Sequence, residues 1–321
     1  MRGRLARWML ADAGLDDDAA LRLFGPAPRG PRPAGILLHV LIAAVLITTL
    51  MVGGYAAGFR LPTLSAQAYA SLYAPMLGGQ AVVSALVLAL GLNIIPTLRR
   101  RGTWDQVRTT AGGARAGVRA AWAHVVYHRV SGWLMVVVYA PRVFLLVLLL
   151  YDLTSFRGDY LAQVIGVHTP RIPAVLDIPL MGLVVTAAFV LPFTAVGLEA
   201  ACALLLSTFL RSRQAIGMAQ IGLISARIAW AVAPVVLFSA IISSTLVGGS
   251  SPFGTWIAGF ASTVLGDWGL SGLHAAEIDR LWSVTPYSAL IPVLAVGMAV
   301  LQSGLTIVVL NWAARRAQRL D

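Results

Sequence analysis

The chain has 321 residues, of which 58% are hydrophobic and 12% charged, with a mean hydropathy of +0.80. A soluble domain sits nearer half apolar and a quarter charged, so an ordinary soluble fold is excluded. The net charge of +11 sets 24 arginines against 13 acidic residues, with no lysine and a single cysteine, Cys202. An intrachain disulfide, a cysteine metal cluster, a lysine Schiff base and a GxxxxGK[ST] phosphate loop are therefore excluded as well.

Residues 1–35 read as a cytoplasmic amphipathic leader. Arg4, Leu5, Trp8, Met9 and Leu15 suit a short helix lying on the membrane. Asp16, Asp17 and Asp18 precede a second short helix, Ala19–Phe24, and suit its positive N-terminal end. Four prolines between Gly25 and Pro33 then lead into the membrane domain. The apolar run that follows is too long for a signal-peptide core.

A bilayer core needs about 20 apolar residues per helix. Five stretches meet this requirement: Ile36–Phe59, Leu72–Leu98, Trp133–Leu153, Ala215–Leu246 and Ser288–Trp312. A sixth, Ala174–Leu210, is longer than one crossing needs and is punctuated by Pro179 and Pro192. It reads as one kinked, tilted span or as a span plus an interfacial piece. Gly54 and Gly58 allow close helix approach in the first span. Two loops fall on the opposite side from the leader, Thr154–Pro173 and Gly248–Thr285. The second carries Trp256, Trp268 and Trp282, which suit the headgroup level. Within it Ile257–Leu265 is expected to be a short re-entrant or interfacial helix.

Arginine distribution sets the expected orientation. With the termini inside, eighteen of the 24 arginines fall in inside segments and four in outside loops, Arg60, Arg157, Arg171 and Arg280. This is the positive-inside bias, and it puts both termini in the cytoplasm. The basic charge orients the chain and meets membrane lipid. No aromatic-basic module points to nucleic acid.

The histidines carry little. His39 sits near the inner end of the first span, where haem ligation would need a second histidine on another span. His124 and His128 have i, i+4 spacing but no third ligand nearby, so no metal site is expected. Neither is a cofactor. His168 and His274 fall in outside loops.

Intramembrane charge says more. An ionisable group in lipid is costly and is usually paired. Glu199 lies eleven residues before Leu210, Arg227 fourteen after Arg213 and Arg142 eleven after Ser131. These offsets correspond to depths of about 16, 21 and 16 Å. Glu199 is therefore expected to pair with Arg227 or Arg142, either as a bridge locking helix packing or as a polar gate on a substrate path.

The inside stretch Leu98–Gly132 reads as a short helix, a turn at Gly112-Gly113 and an amphipathic helix feeding the next span. Gly102 breaks the preceding span and Thr103 is placed to cap the short helix. Val118, Trp122, Val125 and Val126 form an apolar stripe opposite Arg115 and Arg119.

The run Arg101-Gly102-Thr103-Trp104-Asp105, with Thr109-Thr110 after it, resembles the type 2 ABC-transporter permease family. Members carry a basic-acidic run, Gly-Thr, an aromatic or aliphatic residue, an acidic residue and a Thr-Thr-Pro-type turn. Gly197–Arg213, GLEAACALLLSTFLRSR, is similar to the end of that family's fourth span. The chain departs from the pattern at Arg100, where the family has an acid, at Ala111, where it has Pro, and in lacking a later Gly-Lys pair.

The resemblance implies an all-α integral membrane protein of about six transmembrane helices, with a permease-like domain over 36–316 and a cytoplasmic tail over 317–321. It implies a transport subunit of the cell membrane, a bacterial inner membrane, that is not an enzyme by itself. A separate ABC-type ATPase subunit would bind Arg101, Gly102, Thr103, Trp104, Asp105, Thr109 and Thr110, with Trp104 as the anchor. A second permease subunit would complete an exporter. The rival reading is a non-transporting structural or assembly subunit of a larger membrane complex.

Overall fold

The computed structural model describes residues 64–109, 113–155, 174–242, 252–273 and 290–319. The leader and the first expected span, Ile36–Phe59, with His39, Gly54 and Gly58, lie outside the described residues, as do His168 and His274. What is described is helical throughout. Five helices are long and apolar enough to cross a bilayer: Gln67–Arg100, Gly113–Tyr151, Gly182–Ser207, Arg213–Leu237 and Ile291–Gln318. Each overlaps one of the remaining expected spans, Gly113–Tyr151 beginning well before the expected Trp133.

The first, α1, runs Leu64–Arg100 with Pro75 and Pro96 inside it. Gly102, at φ 69°, reverses the chain into the short helix α2, Thr103–Thr109. Only glycine takes this left-handed conformation without strain. Thr103 does not cap α2: its hydroxyl donates 3.1 Å back to the carbonyl of Leu98. It thereby satisfies one of the carbonyls that every helix leaves unmatched at its C-terminus.

The amphipathic helix and the span after it form one rod, α3. Gly113–Ala123 passes through π-helical turns at His124–Val130 and Leu134–Tyr139, on either side of Ser131–Trp133, and ends as Ala140–Ser155. Val118, Val125 and Val126 of its apolar stripe are buried, and Arg115 opposite is exposed.

The stretch around Pro179 and Pro192 is a single helix, α4, Ala174–Ser207. It is the centre of the bundle, packed along α1 on one side and on the other along the last helix, α7, Leu290–Gln318. α5, Arg213–Ile242, lies at the edge and packs on α1.

Between α5 and α7 the chain folds back. α6, Pro252–Ala261, runs into a π turn at Ser262–Gly266 and then a 3₁₀ turn at Leu270–Leu273. Trp268 and Gly269 both have positive φ, 54° and 77°. Because the chain doubles back there, Trp268 is turned into the bundle, only 1% exposed, and does not sit at the headgroup level.

The bundle is inverted relative to a soluble protein. Met218, Ile221, Val300 and Val308 face outward at 61–75% exposure, while Gln80, Ser84, Arg142 and Asp267 are buried. A soluble monomer rarely shows so much exposed apolar surface, but lipid covers it without cost.

Candidate functional site

Two sites carry the sequence-derived candidates, one inside the bundle and one at the α2 end. The interior site is built where the fold-back segment docks. Gly269 and Gly272 allow that docking. A Cβ on Gly269 would come within 2.8 Å of Ala188 Cα, and one on Gly272 within 2.2 Å of Val184 Cγ1.

Arg142, on α3, is fully buried and holds this segment. Its Nε donates 3.0 Å to the carbonyl of Ala188 on α4, and its Nη1 3.2 Å to that of Val138. Its Nη2 reaches the carbonyls of Asp267 at 3.1 Å and Trp268 at 3.4 Å. These last two carbonyls end the α6 segment, where a helix carries partial negative charge, so the guanidinium acts as its cationic cap.

Asp267 is buried too and organises the next turn. Its Oδ1 accepts from the Leu270 amide at 3.1 Å and its Oδ2 from the Ser271 amide at 3.0 Å. This is N-capping of the 3₁₀ turn by a carboxylate. Tyr73 Oη adds a contact at 3.3 Å, and Gln80 Nε2 donates 3.0 Å to the Asp267 carbonyl.

Glu199 on α4 and Arg227 on α5 form the ion pair of the interior, with Arg227 Nε 2.5 Å from Glu199 Oε1. Arg227 also lies with its guanidinium carbon 5.2 Å from the centre of the Trp268 ring. That places a cation on an aromatic face. Of the two arginines expected as partners, Arg227 meets the acid and Arg142 does not. Arg142 bonds at Ala188, eleven residues from Glu199 on the same helix, about 16 Å away. The depths misled because α3 does not begin near Ser131; it continues back to Gly113. The sequence reading also missed Asp267 and placed Trp268 at the headgroup level, since both lie in what reads as an outside loop. A Trp-Gly pair after an apolar half-length helix is the signal that could have marked them.

At the other site, Trp104 is 1% exposed and belongs to the bundle's own core. Its helix packs on α1 and α3, in a cluster that joins Ile95 and Leu98 of α1 and Val118 of α3 to Leu204 of α4 and Ala313 of α7. A Cβ on Gly117 would fall 3.4 Å from its ring and 2.5 Å from Val107 Cγ1, so α3 needs a glycine where α2 crosses it. Trp104 is thus unavailable as an exposed anchor for a partner. Arg101, Gly102, Asp105 and Thr109 are exposed, with Gln106 beside them, and Thr103 is half-buried. Asp105 meets Arg108 at 3.7 Å, while Thr110 lies outside the described residues.

Trp122 donates 2.8 Å to the carbonyl of Gly197, fastening α3 to α4 just above this elbow. His124 accepts from Arg129 Nε at 3.3 Å, and the rings of His124 and His128 stand 5.9 Å apart. No group of three metal-ligating side chains occurs among the described residues.

Helical spans with lipid-compatible exteriors and a polar interior define a multi-pass helical membrane protein. No family model, no curated protein and no solved structure matches the chain.

Proposed function

We propose that the chain is the membrane-spanning permease subunit of an ATP-driven exporter of the type 2 ABC kind. It would be driven by a separate ATPase subunit and paired with a second permease subunit. One observation supports this above the others. α2 has a buried apolar side, Trp104 and Val107, wedged against α1 and α3 in a cluster that also holds residues of α4 and α7, and an exposed polar side, Asp105, Gln106 and Thr109. A partner bound to the polar side moves the wedge, and the wedge moves two spans. This is the mechanical link that alternating access needs, since a ligand shifts a conformation only through contacts that differ between its states. The chain itself has no lysine and so no phosphate loop.

The second reading is a structural or assembly subunit of a larger membrane complex. It is favoured by Arg142, whose hydrogen bonds all go to the chain's own backbone carbonyls. Isolation of the native protein in mild detergent, with crosslinking, separates the two. An ATPase held at Asp105 or Thr109 supports the exporter. A complex that carries a cofactor and no ATPase replaces it with the structural subunit.

A further inference from the structure

Buried aliphatic hydroxyls in this bundle close onto their own helix: Thr306 donates 2.8 Å to the carbonyl four residues earlier, and Ser207 2.6 Å to the one three residues earlier. Ser84 does not, although it is only 1% exposed: among the described residues its Oγ has no partner. One turn away, Gln80 is 3% exposed and spends its amide on Asp267, leaving Oε1 unmatched among the described residues. The ion pair is also incomplete there, since Glu199 Oε2 and Arg227 Nη1 are buried with no partner among the described residues.

These groups share a level. Leu88 of α1, Ala203 of α4 and Leu223 and Ile224 of α5 belong to one apolar cluster where the three helices meet. One turn from each, away from the α2 end, come Ser84, Glu199 and Arg227. Gln80 follows one turn further on, bonded to Asp267, whose neighbour Trp268 stacks on Arg227. Buried polar atoms on three different helices are thus left unmatched around one place, and each costs free energy until something bonds it. Gln80 Oε1 and Glu199 Oε2 accept, Arg227 Nη1 donates and Ser84 does both. Glu199 repels a free anion and Arg227 a free cation, so the complementary occupant is neutral and carries O–H.

We propose that Gln80, Ser84, Glu199 and Arg227 form a site in the membrane interior that binds a neutral hydroxyl, supplied either by water or by a transported molecule. The second source rests on the exporter reading; the first does not. Cys202 is the chain's only cysteine, so Ser84→Cys in a Cys202→Ala background reports on this place alone. The protein is reconstituted in vesicles and treated with a small water-soluble methanethiosulfonate. Ser84→Cys should react at least about tenfold faster than Ile221→Cys on the lipid face, because thiolate forms only where water reaches. Slowing of the reaction by glycerol identifies a passenger's hydroxyl as an occupant, and unchanged reaction identifies water. Labelling of folded Ser84→Cys no faster than that of Ile221→Cys overturns the proposal. If the variant does not fold, high-resolution density of the native protein in lipid nanodiscs decides. Density bridging Gln80 Oε1 and Glu199 Oε2 supports the site; direct protein partners on both atoms overturn it. Neither result depends on whether an ATPase binds α2.

Discussion

Arg142 and Asp267, 125 residues apart in sequence, are joined by a hydrogen bond of 3.1 Å from guanidinium to backbone carbonyl. That bond and its companions fasten the fold-back segment to α3 and α4 at once. Arg142→Met should therefore destabilise the protein by about 3–5 kcal/mol, since it strands buried carbonyls on three elements. Arg142→Lys should recover little, because an ammonium lacks the planar fork that reaches separate acceptors. Thermal unfolding of the purified variants in detergent measures both. A Met variant as stable as the parent would remove the clamp from the account.

The fold-back should also be sensitive at its glycines. Gly269 combines a φ of 77° with backbone of Ala188 within 3.0 Å of where a Cβ would sit. Gly269→Ala must strain the turn and push α4 away at the same time, costing about 2–4 kcal/mol. Gly297→Ala, on α7 with nothing within 4 Å of its Cβ position, should be nearly silent. Equal thermal stability for the two variants would mean that the segment does not dock as described.

Glu199 and Arg227 make a pair that a double-mutant cycle can resolve. Glu199→Leu leaves Arg227 with only the Trp268 face, so folded yield should fall. Removing a single partner of a buried pair typically costs about 3–5 kcal/mol, and less where water still reaches. Adding Arg227→Leu should restore part of the yield, whereas adding Arg142→Leu should lower it further, because Arg142 serves other partners. Rescue by the Arg142 change would contradict the pairing. Normal folding of Glu199→Leu with lost transport would instead identify the pair as a gate.

What was legible in the sequence depended on the length scale of the signal. The spans come from apolar runs of about 20 residues, and the bilayer imposes that length directly. The partner of Glu199 was legible only as a choice. Helix depth needs a known start, and nothing local announces that α3 continues through His124–Val130 as a π turn without a break. Trp104 was misleading for a related reason. Flanked by Thr103 and Asp105, it reads as an exposed anchor, and its burial depends on α3 crossing it at Gly117 and on a cluster that extends to residues more than 90 positions away. Asp267 and Trp268 were hidden because a short apolar segment between turn residues looks the same at the headgroup level as it does folded into a bundle.

The expected orientation places α2 and the end of α7 in the cytoplasm. The structure seats the end of α7 on the start of α3, just after α2 in the chain, with Gln318 Nε2 3.9 Å from a Cβ position on Gly113. Gln106→Cys and Arg319→Cys, made in a Cys202→Ala background, should therefore label together, and only after an impermeant reagent is given access to the cytoplasmic face. Labelling of both from outside intact cells would invert the topology. Labelling of one from each side would contradict the seating of α7 on the start of α3.

The two sides of α2 should separate in a single set of variants, and this is the sharpest test of the exporter reading. Trp104→Ala empties a buried position where α2 packs on α1 and α3, so stability should drop by about 3–5 kcal/mol. Any loss of partner binding in that variant would be uninformative, because the elbow itself is damaged. Asp105→Ala, Gln106→Ala and Thr109→Ala change only exposed side chains. Combined, they should leave thermal unfolding unchanged within experimental error, since surface substitutions rarely move stability by more than about 0.5 kcal/mol. The same triple variant should lose the co-purifying ATPase, because it strips the polar contacts while leaving the wedge in place. Reversal of the surface charge at Asp105→Arg should weaken association further in low salt than in high salt if the partner surface is charged. An ATPase that stays bound to the triple variant would move the docking surface elsewhere. A native protein that brings down no ATPase under crosslinking would leave the inner elbow as a packing device, and the chain as a structural subunit of its complex.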